Sequence, residues 1–296
     1  MNHSYYIQYL LSGCTNGSIY IISAIGFNII YNTTGIINFA QGEFLMLGGM
    51  IAFSLIGHMP LPAAIICATL ITALVGAVIH IIFIRNLNNP SVLRMIIITI
   101  GLSIIIREAA LHIWDEKVRA LPFFTGNECS SINVLGAFIS PQALWVLGIT
   151  AALVIVLNLF FNLTLIGKAM RACAANPIAA SLCGINPKNM VTLSFFISAG
   201  IGALGGCIVS PLAQTQYDCG TTLAIKGFTV AILGGLGNST GAVFAGLLLG
   251  VIEAFSVNFI PLAYKDAIAI VILLVIIVIR PGGLFGNKAA GALKEF

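Results

Sequence analysis

The chain is predicted to be all-α, a polytopic integral membrane helical bundle of about eight or nine transmembrane segments, some broken or re-entrant. Three observations predict it. Charged residues are 7% of the 296 residues and hydrophobic residues 59%, whereas soluble domains carry roughly a quarter charged. A soluble fold of this length has too little interior for that apolar surface, and lipid takes its place as solvent. The apolar runs are also long and unbroken, as in 144–161 and 267–279. A lipid-spanning barrel would alternate polar and apolar residues, so helices satisfy the backbone instead. Finally, residues 1–6 hold no Lys or Arg, so the first apolar run lacks a cleavable-signal form and is expected to stay as a helix.

Nine apolar segments follow in order: 5–31, 44–56, 61–84, 95–114, 141–161, 191–213, 222–234, 241–260 and 264–279. The first is long enough to span with tilt or to break near Gly26. Segments 44–56 and 222–234 are short and flanked by glycine, the pattern of broken or re-entrant helices. With nine crossings the N-terminus lies outside; with one N-terminal segment re-entrant, eight crossings leave both ends inside. Basic residues set the orientation. Arg85 and Arg94, then Lys168, Arg171 and Lys188, then Arg280, Lys288 and Lys294 mark the cytoplasmic side. The loop 115–140 sets Asp115, Glu116 and Glu128 against Lys117 and Arg119 and is placed outside. Many of the 31 glycines fall within helices, where lipid makes them close-packing positions; Gly13 with Gly17, and Gly246 with Gly250, have the packing spacing. Seven cysteines are scattered without a CxxC pair. Cys129 and Cys219 both fall outside, which leaves a disulfide between them open. No long linker or low-complexity tract divides the chain, so residues 1–296 are read as one transmembrane domain.

Residues 162–190 are too long for a turn and too polar to span. Their punctuation predicts two short helices. The first covers about 166–175. Asn176 then has the form of an N-cap and Pro177 that of the first helical residue, where a missing N–H costs nothing. Gly184 suits a left-handed stop after the second helix, and Asn186-Pro187 repeats the cap signal before the next membrane helix. The result is a cytoplasmic elbow rich in small side chains: Ala169, Ala172, Ala174, Ala175, Ala179, Ala180 and Ser181. It can dock in a partner's groove or lie on the lipid interface; composition alone favours neither.

The elbow reads GKAMRACAANPIAASLCGINP over 167–187. It resembles the cytoplasmic coupling segment of bacterial ABC importer permeases of the branched-chain amino acid type. Three more motifs occur in the family's order: GSIYIISAIGFNIIYNTTGIINFAQGEFLMLGG (17–49), KGFTVAILGGLGNSTGAVFAGLLLGVIEA (226–254) and RPGGLFG (280–286). Gln41 departs from the family, many of whose members carry His there; hydrogen bonding is kept and a titratable group lost.

The resemblance implies a subunit that is not itself an enzyme. It would work in a bacterial cytoplasmic (inner) membrane with a second related permease, two ATP-binding cassette subunits and an extracytoplasmic solute-binding protein. The coupling contact would then comprise Gly167, Lys168, Arg171, Ala172, Asn176, Ala179, Ala180, Gly184 and Ile185. The cargo would be branched-chain or other neutral amino acids, or alternatively urea or short amides. No GxxxxGK[ST] phosphate loop occurs in the chain, in keeping with ATP hydrolysis by partners. No cofactor or metal site is expected. A stand-alone secondary transporter or channel is the reading from another class; it would need an ion site or filter within one chain and would not need the elbow.

Ionisable residues at membrane depth cost at least about 2.5 kcal/mol each at a helix centre, which singles out Glu43, Arg107, Glu108, Lys226 and Glu253. Asn38, Gln41 and Glu43 cluster in one glycine-interrupted stretch, and Lys226 opens a short segment. Broken segments in corresponding halves mark transport paths in secondary transporters, and by that analogy Asn38, Gln41, Glu43 and Lys226 are candidates for the translocation path. The alternative is structural, with Glu43 capping a helix and Arg107 pairing with an acid on a neighbour or reaching the outer interface. Residues 237–241 match the GxSxG string of hydrolases, but helical apolar segments flank it where that motif needs a strand. It is read as a tight turn between membrane helices. His58, His80 and His112 fall at predicted helix ends and form no triad spacing.

Overall fold

The computed structural model describes residues 3–285 apart from 88–90, 128, 135, 260, 262–263 and 281. Glu128, Lys288 and Lys294, which helped to orient the chain, lie outside the described residues, as do Pro281 and Gly286 of the closing motif. Eleven α-helices are described: α1 His3–Thr34, α2 Gln41–Ile56, α3 Leu61–Ile79, α4 Val92–Trp114, α5 Pro141–Leu163, α6 Leu165–Ala175, α7 Pro177–Leu182, α8 Pro187–Ala213, α9 Cys219–Gly234, α10 Ser239–Ser256 and α11 Lys265–Ile279. A π-turn, His80–Ile84, extends α3.

Six of these are long and apolar enough to cross a membrane: α1, α3 with its π-turn, α4, α5, α8 and α10. The two segments expected to be short, α2 and α9, have 16 residues each, and α11 has 15. At 1.5 Å per residue these reach about 24 Å or less, short of the ~30 Å hydrocarbon core. Exposed Ile, Leu and Val line α3, α4 and α11, including Ile66, Leu70, Ile97, Ile105 and Val278. In water such a surface would drive aggregation; in lipid it is the solvated face.

The structure chooses between the two alternatives for the first helix and adds one element. The helix α1 runs unbroken through Gly26. That glycine serves packing: a Cβ there would lie 1.9 Å from the Gln41 amide nitrogen. The fold is also not purely helical, because β1 (Ile132–Val134) and β2 (Ala137–Ile139) pair antiparallel. Gly136 turns this hairpin with φ +83°, and its N–H donates to Asn133 Oδ1 at 2.9 Å. Cys129 and Cys219 are both free thiols.

The chain divides into two compact units whose boundaries fall inside α1, α5 and α9 and in the loop after α4. The first comprises Met1–Ile25, Pro122–Val154 and Ile225–Phe296. Here the two glycine pairs noted in the sequence face one another. A Cβ on Gly17 would sit 2.5 Å from the Gly246 carbonyl oxygen, and one on Gly250 would sit 2.3 Å from that of Gly13. Any larger residue would force α1 and α10 apart, and in lipid this close contact replaces the hydrophobic effect as the source of attraction. The Gln8 amide makes two 2.8 Å hydrogen bonds with the Phe138 backbone and so holds β2. The 237–241 string is a turn between helices, as expected. Gly235 and Gly237 have φ +89° and +85°, and Asn238 accepts from Gly241 N–H at 3.0 Å to cap α10.

The second unit comprises Gly26–Leu121 and Ile155–Ala224. Its core is the mutual packing of α2, α3 and α8, again on small residues. A Cβ on Gly206 of α8 would lie 1.8 Å from Leu45 O, one on Gly48 of α2 would lie 2.3 Å from Ala203, and one on Gly76 of α3 would lie 2.5 Å from the Ala199 methyl. Phe44, Met46 and Met50 of α2 fill the space that these contacts leave.

Candidate functional site

The elbow forms as its punctuation predicts. Thr164 caps α6, accepting from Gly167 N–H at 3.0 Å. Asn176 caps α7, its side-chain oxygen accepting from Ile178 and Ala179 N–H, both at 3.0 Å. At the far end Gly184 adopts φ +82°. Its N–H donates to Ser181 O at 3.0 Å, and Ile185 N–H donates to Ala180 O at 3.1 Å, the two bonds of a Schellman stop. Asn186 then caps α8 through Asn189 N–H. These bonds satisfy backbone groups that a short helix would otherwise leave bare.

The nine elbow residues picked from the sequence fall into two sets. Lys168, Arg171, Ala172, Asn176, Ala179 and Gly184 are exposed, and Ile185 is half-buried. Gly167 and Ala180 are buried. A Cβ on Gly167 would meet Phe160 O at 2.3 Å, so this glycine lets α6 turn back against the end of α5. Sequence reasoning missed two large apolar groups that stand on the surface. Ile178 and Leu182 are 73% and 85% exposed, on the same short helix. Their spacing of four puts them on one face, and that spacing was the available signal. The Cys173 thiol is buried, and desolvation holds it above its ordinary range, as a packing group and not a thiolate.

A second cluster lies at the start of α2. Asn38 turns the chain into the helix by accepting from Ala40 N–H at 3.2 Å. Gln41 and Ser198 of α8 grip each other: the Ser198 hydroxyl contacts Gln41 Oε1 at 2.6 Å, and Gln41 Nε2 donates to Ser198 O at 3.2 Å. Glu43 is buried and accepts at Oε1 from the Ser103 hydroxyl at 3.0 Å and the Thr221 hydroxyl at 3.4 Å. Its Oε2, like Asn38 Nδ2, has no hydrogen-bond partner among the described residues. Close to Oε2 lies Gly220, whose Cβ would stand 2.7 Å away. Asn38, Gln41 and Glu43 therefore belong to one unit, each with its own side-chain partners.

Lys226 belongs to the other unit. Its ammonium lies 2.7 Å from Glu253 Oε1 on α10 and 2.6 Å from Asp266 Oδ1 on α11. It also donates to Tyr20 Oη of α1 at 3.1 Å, and Tyr20 in turn donates to Glu253 Oε2. Arg107 pairs with Glu108, its own neighbour on α4, at 3.9 Å. That partner lies on the same helix, not on a neighbouring one as the structural alternative had it.

The family described as branched-chain amino acid transport system / permease component matches residues 9–277. The chain is 35% identical to the high-affinity branched-chain amino acid transport system permease protein BraD of Pseudomonas aeruginosa, over 96% of each chain. It is 32% identical, again over 96% of each, to the permease protein LivH of the corresponding system in Salmonella typhimurium. Among solved structures, a chain of PsaBC from Streptococcus pneumoniae in complex with Fab aligns with a TM-score of 0.51 at 14% identity. That alignment covers 94% of this chain and 92% of the other, a likeness of fold.

Proposed function

The chain belongs to the branched-chain amino acid transport permease family, and from that premise we propose that it forms, with a second related permease, the translocation path of an ATP-driven importer in the bacterial cytoplasmic membrane. The cargo is a branched-chain or other neutral amino acid handed over by an external solute-binding protein. Two ATP-binding cassette subunits supply the energy. The six long helices cross fully; α2, α9 and α11 are shorter membrane segments that bring the count to nine.

One observation carries this reading: a doubly capped elbow that holds Ile178 and Leu182 out from the protein. Exposing two large apolar side chains costs about 1.5–3 kcal/mol each relative to burial, and a groove on an ATPase repays it by the helix-in-groove mode. Lys168, Arg171, Ala172, Asn176, Ala179, Gly184 and Ile185 surround that contact, and Gly167 and Ala180 set its angle. In the path itself Glu43 is the group assigned to the cargo's ammonium. It is a buried carboxyl group contacted by two hydroxyls, with the Arg107 charge of α4 acting on it from beyond contact distance, so α2 has to shift before cargo reaches it. Asn38 and Gln41 are the polar groups along which that shift runs. Lys226 is left out of the path, because three protein groups already hold its ammonium.

The test is co-expression with the adjacent permease and ATPase, followed by reconstitution. ATP-dependent leucine uptake is expected. Leu182→Glu should abolish ATPase co-purification while leaving membrane insertion intact. Retained co-purification would remove the elbow from the docking contact, and leucine uptake by this chain alone without ATP would defeat the importer reading.

A further inference from the structure

A cavity of about 420 Å³ opens inside the second unit, beside the elbow. Its size is within the ~300–1,000 Å³ of small-molecule sites. Its walls come from five places: the end of α1, the π-turn after α3, the start of α4, the elbow and the start of α8. Most of the lining is apolar, with Ile36, Ile84, Met95 and Val191 prominent. Arg85 and Lys188 also line it, and both lie on the side that the basic-residue rule assigns to the cytoplasm. Among the described residues no Asp or Glu lines the cavity, and among them neither cation has a salt-bridge partner. Arg85 also borders a second cavity, of about 370 Å³, along α3 and α8 with Leu193 and Phe196.

We propose that this cavity is a binding site for an anionic phospholipid, whose phosphate lies between Arg85 and Lys188 and whose acyl chain follows the apolar walls. The chemistry is that of a basic pocket between membrane helices at the cytoplasmic face. Two uncompensated cations select a phosphate, and the apolar lining selects a phosphate that carries a chain. Cys173 of α6 and Pro177 of α7 are part of the wall. A lipid seated there therefore touches the elbow and the membrane helices together and splints one to the other.

The full-length protein is placed in nanodiscs of phosphatidylethanolamine with and without phosphatidylglycerol, and retained lipid is read by native mass spectrometry. This readout needs neither ATPase nor cargo, so it stands or falls separately from the importer reading. Phosphatidylglycerol should be retained by the wild type. Each of Arg85→Gln and Lys188→Gln should weaken retention by about five-fold, and the double variant by about 25-fold. Arg85→Lys should keep most of it, which also shows that the neutral variants fail by charge and not by folding. Arg94→Gln removes a cation at the same membrane face that does not line the cavity, and it should leave retention unchanged. Equal retention in the double variant, or equal loss in Arg94→Gln, overturns the site. Protection of the chain by inorganic phosphate alone, with no lipid retained, overturns the lipid as occupant.

Discussion

The two units each bury acidic groups, and they treat them in opposite ways. In the first, Glu253 is completely enclosed and both carboxylate oxygens are engaged, one by Lys226 and one by Tyr20. In the second, Glu43 is almost as deeply enclosed but meets two hydroxyls at one oxygen and nothing from the protein at the other. Both acids carry a similar desolvation cost, and only Glu253 recovers it by charge pairing within the protein. A compensated cluster of this kind ties α1, α9, α10 and α11 together. Glu43 feels the Arg107 charge but makes no contact ion pair among the described residues, and this difference separates a fastening from the path proposed above.

The largest effect should come from breaking the fastening. Lys226→Met leaves Glu253 buried beside Tyr20 without its cation and is expected to destabilise the protein by about 3–5 kcal/mol. Thermal unfolding in detergent reads this directly, and Lys226→Met with Glu253→Gln should recover most of the loss. Next comes the glycine seam of the same unit. Gly17→Leu drives a side chain into the Gly246 carbonyl and should cost about 1–3 kcal/mol, visible as a lower melting temperature. If it proves as severe as Lys226→Met, then packing and not ion pairing dominates that unit.

The counterpart in the second unit should behave differently. Glu43→Gln keeps an acceptor for Ser103 and Thr221 and replaces the unpartnered Oε2 with an amide NH2 that cannot ionise. Stability is expected to stay near that of the wild type while leucine uptake falls about ten-fold or more, the scale of one charge-assisted hydrogen bond. A melting temperature as low as that of Lys226→Met would erase the contrast between the two acids. The smallest effect belongs to the elbow. Asn176→Ala removes two capping bonds and should cost about 1 kcal/mol. It should loosen transport coupling more than it lowers the melting temperature, read as ATP hydrolysed per leucine moved.

The elbow was the most legible part of the chain, down to the caps at Asn176 and Asn186 and the stop at Gly184. Those signals act over three or four residues, so the chain carries them locally. The hairpin at 132–139 was not legible, because one strand pair of three residues each is too short to show a period. Glu43 and Lys226 were both picked out as ionisable residues at membrane depth. Nothing near either in sequence distinguished them, since Tyr20 and Glu253 approach Lys226 from 206 and 27 residues away.

By itself the sequence determined that this chain lives in lipid as a helical bundle, that two of its apolar segments are short, and that a capped elbow interrupts it at residues 162–190. Each of these follows from composition, run length or a local backbone rule. Tertiary structure alone decided that Gly13 and Gly17 meet Gly246 and Gly250, that Glu253 is paired and Glu43 is not, and that Arg85 and Lys188 border one cavity. Those outcomes depend on which helix faces come together. In a chain this uniformly apolar, hydrophobic patterning no longer marks the inward face, so that choice is left to glycine contacts and a few buried charges.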